Sequence, residues 1–195
     1  IGGEDEENPV TNLDGLKNLV SVRCDLTITA AYTGETLAGL ENLTACESLR
    51  IGSAAHPNET LRQLSLPALK EIKGDLCVYG TALQTADFKS LQSVAGHFVL
   101  QSDALLQLTA DELTTVAGNM TLIGTTADEA KAPCEQMYFP KLQRIDGTLT
   151  LSRFDRLSGL GTTFGVLTQA GALRYEHLAL ANTCLLYTSP SPRDS

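Results

Sequence analysis

The amino-acid sequence predicts an all-β solenoid, in which the chain winds into successive coils that each contribute a strand. Three segments superimpose without a gap at a period of 22 residues: LPALKEIKGDLCVYG, FKSLQSVAGHFVLQS and LTADELTTVAGNMTLIG, of which the third is written from two residues earlier in the repeat. A fixed period of this length is typical of repeat architectures. Within each segment the apolar spacing changes from three to two, as a tight bend followed by a short strand requires.

The same pattern extends over most of the chain. Its coils are 22–29 residues apart, and a glycine at 74, 96, 118 or 147 precedes the strand, where it permits close backbone approach. Cys24 fills this position in the first coil, and the copies at 43–51 and 167–175 are one residue shorter between bend and strand. About seven coils are predicted, anchored at Leu19, Leu43, Leu69, Leu91, Leu113, Leu142 and Leu167.

Three regions are predicted. Residues 1–12 are an acidic linker or fragment end, because their EDEE run lacks the alternating ligand spacing of a calcium loop. Residues 13–183 form the solenoid, with loops at 30–36, 54–60 and 125–138. We expect further coils or a polar cap after Thr183, since a bare solenoid end exposes its core.

Residues 184–195 are predicted to be a non-native tail. The stretch from Cys184 to Asp194, CLLYTSPSPRD, resembles a translated sequencing adapter at every position. It is therefore excluded from the fold prediction, as an expression scar would be.

Composition limits the classes of partner. The chain has 14 Lys plus Arg against 23 Asp plus Glu, a net charge of −9, and no basic cluster, so nucleic acid is not an expected partner. No apolar run approaches the roughly 20 residues that span a bilayer, so no membrane span is predicted in this chain.

No catalytic, cofactor-binding or metal-ligating residues are predicted. His56, His97 and His177 lack paired metal-ligand spacing, and GLGTTFG at 159–165 lacks the lysine of a phosphate loop. The outward carboxylates Asp25, Asp75 and Asp146 lie on different coils, which does not define an acid–base pair. The sequence therefore predicts a protein that is not an enzyme.

Three N-x-[ST] sequons, at Asn42, Asn58 and Asn119, are possible N-glycosylation sites and a mild indication of secretion. Cys77 and Cys134 give little further indication, since both can be free small hydrophobic residues.

The repeated pattern L-x-x-I-x-G-x-L-x-I, over about residues 13–180, resembles that of the receptor L-domain family. These domains are right-handed β-helices related to leucine-rich repeats, and the Asn ladder of horseshoe repeats is absent here. The nearer likeness is to microbial or protist surface proteins. The resemblance implies an extracellular or cell-surface location and a disulfide between Cys24 and Cys46, with two buried thiols as the alternative.

The functional hypothesis is a non-enzymatic recognition or adhesion module that binds a protein or glycan. Alternatives are a structural wall or scaffold component and, less favoured, a carbohydrate-active β-helix enzyme. The binding face is predicted on the strands, with His97, Val99, Asn119 and Thr121 near its centre. Few long charged side chains protect this face, although β-propensity alone would also favour Thr and Val there, and a glycan on Asn119 would cover it. Two outward ladders make it up, namely Asp25, Asp75, His97, Asn119 and Thr148, and Thr27, Cys77, Val99, Thr121 and Thr150.

Overall fold

The chain forms a parallel β-solenoid of about six turns. The computed structural model describes residues 1–2, 9–125, 133–157 and 163–176. Several predictions from the sequence lie outside these ranges: the acidic run, His177, the middle of the 125–138 loop, most of the glycine-rich 159–165 segment and the adapter-like tail.

Each turn contributes up to three short strands, and a 3-10 helix at Asp14–Leu16 precedes the first. Five strands of two residues lie before the bend: β1 Ser21–Val22, β3 Ala45–Cys46, β6 Glu71–Ile72, β9 Ser93–Val94 and β12 Thr115–Val116. Five longer strands follow it: β2 Leu26–Ile28, β4 Leu49–Ile51, β7 Leu76–Tyr79, β10 Phe98–Gln101 and β13 Met120–Ile123. In the last turns the two merge into the single strands β15 Arg144–Ser152 and β16 Gln169–Glu176.

These strands make one 12-stranded sheet, which is folded at the bend and continuous because β15 pairs with strands on both sides of it. A second sheet of four strands closes the other side of the coil: β5 Gln63–Ser65, β8 Thr85–Asp87, β11 Gln107–Thr109 and β14 Gln136–Tyr138. Throughout the described part of the chain the paired strands are parallel, which follows from winding the chain always in the same sense.

The register confirms the predicted repeat. Leu76, Phe98 and Met120 lie side by side, and so do Val78, Leu100 and Leu122. Their side chains are completely buried, as are Leu69, Leu91 and Leu113 at the start of each unit. No single coil could bury these side chains alone, so neighbouring coils must stack to form one core.

Aromatic rings from the coils anchored at Leu91, Leu142 and Leu167 meet in the core. Phe88 and Phe139 each meet the Phe98 ring edge-on, at centroid distances of 6.0 and 6.4 Å. Phe139 then stacks on Phe164 at 5.4 Å. Offset and edge-to-face contacts of this kind add to the stability that burial gives.

Six full turns are present where about seven coils were predicted. The seventh anchor, Leu167, begins a coil of which the described residues contain one strand, β16. Its strand is one residue short, since Ala170 pairs with Ile145 and Ala172 with Thr148. The coil at 43–51 is shortened in the same way, because Cys46 lies opposite Ile72 and Leu49 opposite Leu76. The register therefore confirms both of the shortened coils that the sequence predicts.

Among the residues that the structure describes, no helical segment has the length and apolar character needed to cross a bilayer.

The glycine column is where the coils come closest. The amide of Gly96 donates to the carbonyl of Gly74 at 2.8 Å, and the amide of Gly118 donates to that of Gly96 at 2.9 Å. A Cβ on Gly118 would lie 2.6 Å from the Gly96 carbonyl oxygen, a contact that side chains do not tolerate. The predicted need for glycine at this position is thus explained by backbone packing between coils.

We expect Gly118→Ala to lower the free energy of unfolding by about 1–3 kcal/mol, because the added methyl group meets rigid backbone. Gly15→Ala is the matched control, since a Cβ there has nothing within 4 Å. Urea unfolding followed by circular dichroism measures both. Equal midpoints for the two variants would show that the coils do not need glycine at the bend.

Candidate recognition face

The outer side of the strands after the bend is the candidate site. Val99 pairs directly with Thr121, so the structure brings together two of the four predicted binding residues. Both are half-buried and alternate with core residues along their strands. The full ladder, here called the central ladder, runs across seven strands: Thr27, Arg50, Cys77, Val99, Thr121, Thr150 and Arg174.

Two arginines in this ladder were missed from the sequence. Arg50 and Arg174 both lie on the shortened coils, so counting from the anchor leucine misplaces them by one residue. Aligning from the strand residues instead, with Leu49 on Leu76, would have found Arg50.

Charge is confined to the two ends of the central ladder. Arg50 lies between two carboxylates, with its Nη2 3.2 Å from Asp75 Oδ2 and its Nε 3.6 Å from Asp25 Oδ2. At the other end, Arg174 pairs with Glu176 at 2.6 Å. Between these ends lies an uncharged surface, here called the central patch: Cys77, Val99, Thr121 and Thr150, with Tyr79, Gln101 and Ile123 beside them.

His97 and Asn119 lie at the bend beside this patch and have a role within the fold. The Nδ1 atom of His97 accepts the amide hydrogen of Asn119 at 2.9 Å. The Oδ1 atom of Asn119 accepts that of Thr148, also at 2.9 Å. Both side chains are exposed, yet each holds the next coil by a hydrogen bond.

These contacts belong to a longer series, here called the acceptor ladder, that connects five coils. The Asp75 amide donates to Ser48 Oγ at 3.3 Å, and the His97 amide donates to Asp75 Oδ1 at 2.9 Å. Four side-chain acceptors, on Ser48, Asp75, His97 and Asn119, thus each bind the amide of the equivalent residue on the next coil, and the series ends at the Thr148 amide.

The acceptor role fixes the tautomer of His97. A neutral imidazole has one donor and one acceptor nitrogen, so an Nδ1 that accepts a hydrogen bond places the ring proton on Nε2.

We expect His97→Leu to lower the free energy of unfolding by about 1 kcal/mol and to speed hydrogen exchange at the Asn119 amide, since the acceptor is lost. In His97→Asn the Oδ1 atom replaces Nδ1 at the same distance along the side chain, as Asn119 already demonstrates one coil later. That control should exchange like the parent. Equal exchange in all three proteins would contradict the role given to Nδ1.

The three sequons differ in structure. Asn58 is completely buried, and its Oδ1 accepts the Leu61 amide at 2.7 Å while its Nδ2 donates to the Tyr32 carbonyl at 2.8 Å. The prediction of glycosylation at Asn58 is therefore not compatible with this conformation, since a glycan on Nδ2 has no room in the core. Asn42 and Asn119 are exposed, and glycosylation at these two residues stays a prediction.

The predicted bridge between Cys24 and Cys46 is absent, and both residues are free thiols. Cys46 pairs with Val22 rather than with Cys24, and it occupies the core position that Ile72 fills in the next coil. One thiol is thus buried in the core while the other is exposed at the bend.

Burial raises the pKa of the Cys46 thiol to about 11, and Asp25 and Glu47 add to the shift. Burial likewise raises the pKa of Cys134 to about 11. These two thiols are therefore protonated at neutral pH and behave as small hydrophobic side chains.

Stability should fall in alkali because of Cys46. In the unfolded chain the Cys46 thiol has a pKa near 8.5, whereas in the folded protein its pKa is about 11. Because the folded state holds this proton more tightly, the thiol contributes stability that is fully present below about pH 8.5. That contribution is lost as the pH rises towards 11. We expect Cys46→Val to make the alkaline decrease in unfolding free energy shallower, by up to about 1.4 kcal/mol per pH unit. Cys24→Val, which removes an exposed thiol, is the control. Identical slopes in both variants would exclude Cys46 as the source.

Within the described ranges, no three His, Cys, Asp or Glu side chains are close enough to hold a metal ion. Asp146 forms a bidentate pair with Arg144, with an Nη2–Oδ2 distance of 2.9 Å, and His56 lies exposed in a loop.

Comparison with known proteins adds no relative: no family profile, no curated protein and no solved structure matches this chain. The fold and the chemistry of its surfaces are therefore the basis for the functional proposal.

Proposed function

We propose that this chain is a non-enzymatic recognition or adhesion module, at the cell surface or secreted, that binds a protein or glycan through the central patch. The observation that carries the proposal is seven adjacent outward side chains without a charge, bordered at each end by ion-paired arginines. The binding residues proposed at its centre are Val99 and Thr121.

The uncharged patch favours binding because a partner can cover it without removing water from ions. Solvated sheet faces usually carry long charged side chains, which oppose such contacts. Four strands at about 4.8 Å spacing make the patch about 14 Å wide. Charged residues are depleted in the cores of protein interfaces, and the arginines lie where a polar rim would be.

The outward carboxylates support a role without acid–base catalysis. Asp25 and Asp75 share the guanidinium of Arg50, and Asp146 is paired with Arg144. Each of these carboxylates is thus already engaged by an arginine side chain, which speaks against a free acid–base pair.

The family assignment belongs to the same proposal. The sequence pattern resembles receptor L-domains of microbial or protist surface proteins, and a parallel β-solenoid is compatible with that likeness. The exposed sequons at Asn42 and Asn119 support an extracellular location.

A pair of charged substitutions tests the face. The chain, produced by secretion, is presented to an array of extracellular proteins and a glycan array, and each ligand found is retested by titration. We expect Val99→Arg with Thr121→Arg to weaken binding at least tenfold, about 1.4 kcal/mol, because the charges must be desolvated.

Thr115→Arg is the matched control, because Thr115 is a half-buried strand residue of the same coil on the other side of the bend. Circular dichroism and thermal unfolding verify that all variants fold. Binding that survives the double change in a folded protein would place the site elsewhere and overturn the proposal.

A further inference from the structure

The outer side of the second sheet has a different chemistry from the central patch. Its strands alternate regularly, with Leu64, Ala86, Leu108 and Met137 buried. The outward positions are rich in amides and hydroxyls, and they form two ladders: Gln63, Thr85, Gln107 and Gln136, and Ser65, Asp87, Thr109 and Tyr138.

Two grooves lie along this side and share Gln107. The larger, of about 440 Å³, is lined by Gln107, Gln136 and Tyr138 together with Leu106, Glu135 and Arg156. The smaller, of about 320 Å³, continues over Thr85, Asp87 and Thr109. A ligand lying across the strands could therefore contact both grooves at once.

Two exposed large hydrophobic side chains line the larger groove. Tyr138 is 42% exposed and Leu106 is 50% exposed, although both are large hydrophobic residues in a chain that buries most of its leucines. The Tyr138 ring provides a flat apolar platform with a polar edge, which suits a ligand that has both kinds of surface.

The amides next to this platform are oriented by bonds within the sheet. The Tyr138 hydroxyl donates to Gln136 Oε1, which fixes the amide and turns its NH₂ group away from that contact. Gln107 Nε2 donates to Thr109 Oγ1 at 3.3 Å, which leaves its Oε1 atom as an acceptor. The groove thus presents an oriented donor group and an oriented acceptor group beside the ring.

We propose that these grooves bind a neutral oligosaccharide. A sugar ring offers an apolar C–H face to the Tyr138 platform and pairs of hydroxyls that both donate and accept, which matches the two glutamine amides. The larger groove carries one acidic and one basic side chain, Glu135 and Arg156, and the smaller groove has an acidic excess. This balance disfavours an acidic sugar. The site lies on a different sheet from the central patch, so it stands independently of the proposed function.

Titration calorimetry with defined sugars tests the proposal. The probes are cellohexaose, mannohexaose and chitohexaose, with hexagalacturonate as the acidic comparison. We expect at least one neutral hexamer to bind more tightly than hexagalacturonate. Tyr138→Ala and Gln107→Ala should each weaken that binding at least tenfold, and Tyr138→Phe less than Tyr138→Ala, since the ring is kept.

Tyr175→Ala is the control, because it removes another exposed tyrosine ring from the large sheet. The Val99→Arg, Thr121→Arg protein should bind the sugar unchanged, which separates this site from the central patch. Two results would overturn the proposal: no binding of any neutral hexamer at up to about 10 mM, or binding that Tyr138→Ala leaves intact in a protein folded by circular dichroism.

Discussion

The close approach of backbones at the glycine column is the constraint on which the rest of the solenoid depends. Gly74, Gly96, Gly118 and Gly147 are joined by successive amide-to-carbonyl hydrogen bonds of 2.8–3.1 Å. Side chains are excluded there, so each coil must turn at the same place relative to its neighbour. That fixed turn sets the register of the strands on both sides, and the register in turn decides which residues enter the core.

The acceptor ladder follows from the same geometry. The residue after each glycine has its amide pointing towards the preceding coil. A short side chain at the equivalent position of that preceding coil can accept the amide hydrogen. Ser, Asp, His and Asn differ in charge and shape, yet each provides an acceptor within reach. Variation along this ladder therefore has a common physical meaning, and its polar character is explained by the fold without a ligand.

The repeat made the core predictable from the sequence, whereas the hydrogen-bonding roles of the outward residues could not be predicted from it. Leu76, Phe98 and Met120 share a position because burial demands apolar residues at fixed spacing. His97 and Asn119 were predicted as binding residues, since a polar outward residue gives no sign in sequence that its acceptor is already used. The disulfide predicted for Cys46 failed for a related reason. The residue that lies beside Cys46 depends on the strand register, and this register shifts because the coil is one residue shorter.

The central patch and the outer side of the second sheet can change independently, because the hydrogen bonds that fix the winding are made by other residues. Val99 contributes no hydrogen-bonding side chain, and its substitution leaves the hydrogen bonds of the glycine column and of the acceptor ladder intact. The same holds for Tyr138, whose hydroxyl contacts a residue of its own strand rather than another coil. A solenoid of this kind separates the residues that determine winding from those that meet a partner. Changes at the latter should therefore alter binding while stability is largely retained.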